Sequence, residues 1–303
     1  MEIIRPGTRY DFIGKKKYTI WISVAVILIS LGSLLFHGGL RYGVDFAGGI
    51  LVQVKFSKNV DISEVRSTLE NAGMKDAMVQ KFGGENEFLI RVEKTGEDLQ
   101  EVSKTIQSSL LGRMKQGFEI RRVEAVGPKI GKDLKTKALW AVGLAFLGIL
   151  IYVSWRFKEV AYGLGGIVAL IHDIIITYGA ISITNTEYSL TVLAVILTII
   201  GFSINDTIVI FDRVRENIKK IRKEKLETIF NISINETLGR TILTSGTVLM
   251  VVLILFFFGG AVIHDFTFAL IVGLISGTYS TVYIASPVVI FWERKISGRH
   301  KGR

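Results

Sequence analysis

Six apolar stretches punctuate the chain, and between the first and second the pattern changes to short alternating runs. The stretches are Tyr18–Phe36, Ala138–Trp155, Val160–Ile183, Ser189–Phe211, Arg240–Phe258 and Phe266–Trp292. About 30 Å of hydrocarbon needs about 20 helical residues, so each reads as a membrane-spanning helix, with the last long enough to tilt or project. The first stretch is longer than a signal-peptide core and no small-x-small cleavage site follows it, so it reads as a retained span.

The region 37–137 follows a different rule. Ile50–Phe56 alternates like a strand, and Ile62–Ala72 has helical spacing at Ile62, Val65 and Leu69. Ala77–Phe82 and Glu87–Val92 predict a hairpin across Gly83-Gly84. Leu99–Met114 returns to helical period and Phe118–Val126 predicts a last strand. The order β-α-β-β-α-β predicts a ferredoxin-like sheet with two helices on one face. The fold expected is therefore an integral-membrane, all-α six-helix bundle carrying an α+β ferredoxin-like extracytoplasmic domain. From Gly38 to Lys137 it contains no histidine, nucleophile motif or phosphate-cradling loop, so it reads as a binding or mechanical module and not an enzyme.

Composition agrees with this division. The chain has 303 residues, 49% hydrophobic and 21% charged, so charges must be segregated from the spans. A net charge of +10 could suggest nucleic acid, but the basic residues cluster beside apolar spans, as membrane topology requires. Cysteine is absent, which excludes disulfides and thiolate metal sites. Lysine and arginine crowd the N-terminal tail 1–17 (Arg5, Arg9, Lys15, Lys16, Lys17), the connection 212–239 (Arg213 to Lys225) and the tail 293–303 (Arg294 to Arg303). The links Thr184–Tyr188 and Gly259–Asp265 carry none. The positive-inside rule places both termini in the cytoplasm. Lys129, Lys132, Lys135 and Lys137 run against it, but they end a loop of about 100 residues, and long loops cross largely regardless of charge.

Charged groups inside spans are costly and mark function. Asp206 lies near the end of span four and Arg240 opens span five, an acid and a base at similar depth that suggest a proton or ion pathway. Gly201 and Asn205, four apart, and Ser203 and Asp206, three apart, predict a small, polar stripe facing protein. Asp173, beside His172 in mid-span three, is a second relay candidate or a structural hydrogen-bonding pair. Ala269, Gly273, Gly277 and Thr281 give span six a helix-packing face. Two further motifs flank the outer domain. In 42–49 (YGVDFAGG), Asp45 either caps a turn or fixes the domain to the bundle, and Gly48 and Gly49 permit positive φ. In 126–131 (VGPKIG), Gly127 and Pro128 predict a hinge or stiff turn.

These motifs, with 201–217 (GFSINDTIVIFDRVREN) and 235–245 (NETLGRTILTS), resemble the SecF branch of the SecD/SecF family of protein-export membrane subunits over almost the whole chain. The resemblance implies a multi-pass subunit of the Sec preprotein translocase in the cytoplasmic (inner) membrane. It implies SecD, on a separate chain, as partner, with the SecYEG channel, a YidC-like insertase and the exported preprotein as further partners. The energy source would be a proton or sodium gradient, with no bound cofactor. The family's relay acid matches Asp206 and its arginine matches Arg240, a third acid lying in SecD. SecD and SecF are similar to the resistance-nodulation-division transporters, so the six spans would be half of a pseudo-repeat. Two other readings stand beside this one: an ion-coupled exporter of small molecules or lipids, and a passive scaffold for SecD.

Overall fold

The computed structural model describes residues 10–75, 77–84, 86–92, 99–113 and 117–300. Arg5, Arg9, Met114, Lys301 and Arg303 lie outside the described residues. Six helices among these residues are long and apolar enough to cross a membrane. They begin with α1 (Lys16–Phe36), which buries only Ser23 and Ser30 while Trp21, Leu28, Leu35 and Phe36 stay exposed. Small polar residues inward and large apolar ones outward suit a helix whose outer solvent is lipid.

After α1 come the short helix α2 (Val44–Ala47), then β1 (Gly49–Phe56), α3 (Ile62–Asn71), β2 (Met78–Lys81), β3 (Glu87–Val92), α4 (Leu99–Arg113) and β4 (Phe118–Val126). The strands form one antiparallel sheet in the order β2-β3-β1-β4, the split β-α-β arrangement. Alternation along β1 sends Ile50, Val52, Val54 and Phe56 toward Val65, Leu69, Ile106 and Leu110 of the two helices. Asp61 caps α3, its carboxylate accepting from the Ser63 backbone N–H at 2.8 Å.

The bundle continues through α5 (Pro128–Phe157), α6 (Val160–Ile183), α7 (Leu190–Lys220), α8 (Leu226–Phe258), α9 (Ala261–Ser280), a π-helical turn at Thr281–Ala285, and α10 (Ser286–His300). Three of these elements differ from the sequence expectation. The Gly127-Pro128 hinge is a helix start: Gly127 is extended at φ −66°, ψ 147°, and Pro128 occupies the first helical position, where its missing N–H costs nothing. Span two thus gains a polar first section bearing Lys129, Lys132, Lys135 and Lys137, the third of which sits 4.1 Å above the Tyr42 ring.

The connection expected at 212–239 is mostly helix, with only residues 221–225 between α7 and α8. Hydropathy falls there but helical periodicity does not: Val214 and Asn217 on α7 and Ile229, Phe230, Ser233 and Ile234 on α8 remain buried. Arg240 consequently lies about four turns inside α8 and not at its start.

The last span is two α-helices joined through a π-turn. Pro287 cannot donate to the carbonyl four residues back, which opens the ladder there. The Ser286 hydroxyl donates to the Thr281 carbonyl at 3.2 Å.

The sheet domain is clamped to the bundle through the first motif. Gly43 N donates to Tyr188 O at 2.9 Å and Tyr188 N to Arg41 O at 2.7 Å, so the segment after α1 pairs with the α6–α7 link. Gly48 has φ +80°, and a Cβ there would meet Pro128 Cα at 3.0 Å; a Cβ on Gly131 would meet Phe46 O at 2.9 Å. The two glycine motifs, 78 and more residues apart along the chain, are therefore one close backbone contact. Gly49, at φ +115°, turns the chain from that contact into β1.

Candidate functional site

Asp173 is fully buried in the middle of α6. Its Oδ1 accepts from Ser276 Oγ at 2.6 Å and lies 3.1 Å from His172 Nδ1; its Oδ2 accepts from Ser203 Oγ and Ser280 Oγ, each at 2.8 Å. Three helices contribute: α6 the acid and histidine, α7 one serine, α9 two serines a helical turn apart. Their approach depends on Gly277, where a Cβ would lie 3.0 Å from Ser203 Cβ and 3.6 Å from Asp173 Oδ2. The His172 ring stacks on Tyr279 at 5.9 Å, and its Nε2 is buried with no hydrogen-bond partner. Tyr279 in turn donates to Thr19 O at 2.7 Å and accepts from Ser23 Oγ at 3.1 Å, which ties the cluster to α1.

Asp206, one helical turn beyond Ser203, is 3% exposed and accepts a hydrogen bond from Ser245 Oγ of α8 at 3.1 Å. Arg240 is exposed, and no hydrogen bond or ion pair within 4 Å joins it to Asp206. The two charges act on each other through space, and a serine supplies the direct contact. No lysine or arginine among the described residues forms an ion pair with either buried aspartate.

The stripe expected on α7 divides in two. Ser203 and Asp206 face inward with Thr207, while Gly201 and Asn205 are exposed. The reason is angular: at about 100° per residue, Asn205 lies roughly 160° around the helix from Ser203. The small-residue face of span six packs on α7, with Gly273 against Ile199 and Gly277 against Ser203.

At the end of the bundle nearest the sheet domain, Asp45 accepts from the backbone N–H of Leu190, the first residue of α7, where Ser189 also caps Val192 N. Arg91 Nη1 of β3 donates to Tyr42 O at 2.6 Å and approaches Glu187 at 3.6 Å. The Tyr188 hydroxyl beside them is pushed well above its ordinary pKa by burial first, and then by its neighbours Tyr178 and Tyr42. Ser245, Ser276 and Ser280 escaped the sequence reading. The available signal was serines four apart in an apolar helix, beside its small-residue face.

Buried acids solvated by hydroxyls inside a six-span bundle, joined to a small sheet domain, define a multi-pass membrane protein of transport type. Comparison with known proteins specifies the kind. Residues 106–295 match the family model described as protein export membrane protein SecD/SecF, C-terminal, and residues 33–60 match the SecD/SecF GG motif. The chain is 46% identical to the protein translocase subunit SecF of Calditerrivibrio nitroreducens, covering 95% of this chain and 96% of that one. It is 44% identical to that of Magnetococcus marinus, covering 97% and 95%. Its fold is similar to the crystal structure of SecDF, a translocon-associated membrane protein from Thermus thermophilus, with a TM-score of 0.84 and 34% identity. That match covers 95% of this chain, which spans 39% of the SecDF chain. The chain belongs to the SecD/SecF family of protein-export membrane proteins, and its relatives are the SecF subunits of the Sec translocase.

Proposed function

We propose that this chain acts as the SecF half of a SecD–SecF pair that uses a proton or sodium gradient to promote preprotein export through the SecYEG channel. In this reading it sits in the cytoplasmic membrane with both termini inside, makes and breaks no covalent bonds, and needs no bound cofactor. A YidC-like insertase and the exported chain are its further partners. The observation that supports it is the division of polar groups on α7 and α8. Asp206 is buried, whereas Arg240 and Asn205 point away from this chain at membrane depth, where lipid cannot satisfy a guanidinium or an amide. A second membrane chain bearing an acid would cover that flank and complete the relay around Asp206 and Arg240. Protonation of Asp206 would then cancel its attraction for Arg240, a large change in a low dielectric, and bias the α7–α8 arrangement. Asp173 lies one turn farther along the same packed interface as a second relay position.

The test is export of a secreted reporter in cells whose only copy carries Asp206→Asn, with SecD co-purification followed in parallel. Lost export with an intact complex is expected. Normal export would remove Asp206 from the engine and leave a scaffold.

A further inference from the structure

The Asp173 cluster has more in it than a packing pair requires. A carboxylate at full burial carries a desolvation cost of several kcal/mol, and hydrogen bonds from neutral hydroxyls reduce that cost without cancelling the charge. No fixed lysine or arginine among the described residues pairs with it. His172 supplies a contact through Nδ1 only, and the other face of that ring is closed by Tyr279. What surrounds the acid is oxygen: its own two, plus Ser203, Ser276 and Ser280 Oγ, all within 2.6 to 2.8 Å of it.

We propose that this cluster is a binding site for a dehydrated monovalent metal cation of about sodium's size. The inference deepens the ion-coupled reading above and rests on it. Hard cations take carboxylate, hydroxyl and carbonyl oxygens, and five such atoms from three helices converge here. A single carboxylate matches one positive charge. Serine is the suitable partner because it switches role: its hydroxyl donates to the carboxylate without the ion and turns a lone pair inward with it. Ser280 has its alternative acceptor in place, the Gly277 carbonyl at 3.2 Å. The tight spacing that Gly277 permits favours a small ion over a large one. The site also adjoins an element able to respond. Thr281 opens the π-turn directly after Ser280, and its hydroxyl meets Thr207 Oγ1 of α7 at 3.0 Å, so expansion around the ion would be felt where the last span changes helical pitch.

The experiment uses the full chain in lipid nanodiscs. Binding of ²²Na⁺ is measured by scintillation proximity, and melting temperature is followed in sodium, potassium or choline chloride at constant ionic strength. Saturable binding and a melting temperature that climbs with the logarithm of sodium concentration are expected, with choline inert. Asp173→Asn should abolish both effects. Ser276→Ala and Ser280→Ala, which keep the charge and remove single ligands, should each weaken binding severalfold, and they carry the test if the aspartate variant does not fold. Reporter export in Asp206→Asn tests the relay, and sodium binding in Ser276→Ala and Ser280→Ala tests this site, so the two failures are read separately. Indifference to sodium, a response to pH alone, or sodium binding unchanged in both serine variants would overturn the proposal.

Discussion

Asp45 Oδ2 accepts a hydrogen bond from the backbone N–H of Leu190 at 2.8 Å, across 145 residues of sequence. A carboxylate at a helix N-terminus satisfies an orphan donor and complements the helix dipole, so one side chain ties the entrance of the sheet domain to the helix that carries Asp206.

Replacing Asp45 by Ala should cost about 1 kcal/mol of stability, the usual worth of such a cap, while Asn, which keeps an acceptor, should cost less. Thermal melts check the energies, and hydrogen exchange at residues 190–193 checks the location. Equal effects of Ala and Asn would point to charge alone and not to capping.

Gly48 combines a left-handed φ of +80° with a backbone neighbour, Pro128, where a Cβ would sit. Gly48→Ala should therefore lose about 1–3 kcal/mol from strain alone. Gly112, in α4 with open space around it, is the control: there the same methyl should be neutral or stabilise by about 0.5–1 kcal/mol. Melting temperatures of the two variants should move in opposite directions.

At Gly277, α9 packs against Ser203 and Asp173 with no room for a further carbon. Gly277→Ala should cost about 1–3 kcal/mol by overpacking, whereas Gly201→Ala, on the exposed side of α7, should cost nothing measurable. Denaturation of both variants in the same lipid decides it; equal losses would mean that the contact with Ser203 does not set the result, since alanine is the better helix former at both positions.

Asp61 is held below the usual carboxylate range by hydrogen bonds from the Ser63 side chain and then the Ser63 backbone N–H. A lowered folded-state pKa means the cap's contribution is present above the unfolded carboxylate's pKa and is lost as pH falls through the lower folded value. The sheet domain's melting temperature should fall on acidification through that window, and less so in Asp61→Asn. Parallel profiles would show that Asp61 contributes nothing to the acid sensitivity.

Much of this was legible in local pattern. A run of apolar residues declares a span wherever it falls, and the alternation in 50–56 with the helical spacing of Val65 and Leu69 declares a sheet with helices on one face. Positions at which charge is expensive, Asp173, Asp206 and Arg240, stand out for the same reason. The ends of elements were less legible. At Pro128 and after Phe211 the helix continues past the point where hydropathy stops, because helical hydrogen bonding is indifferent to whether the outward face meets lipid or water.

The sequence by itself determined the six spans, the order of strands and helices between the first two, and which residue types carry charge into the bundle. Each is a property of composition and period within one segment. Only the tertiary structure decided the partners: that Asp206 meets Ser245 while Arg240 turns outward, and that Asp173 gathers Ser203, Ser276 and Ser280 from up to 107 residues away. Those pairings depend on how each helix is rotated about its axis and how closely it approaches its neighbour. A missing Cβ at Gly277 sets that approach; the four-residue spacing of small residues on the last span marks a packing face but not the partner that meets it.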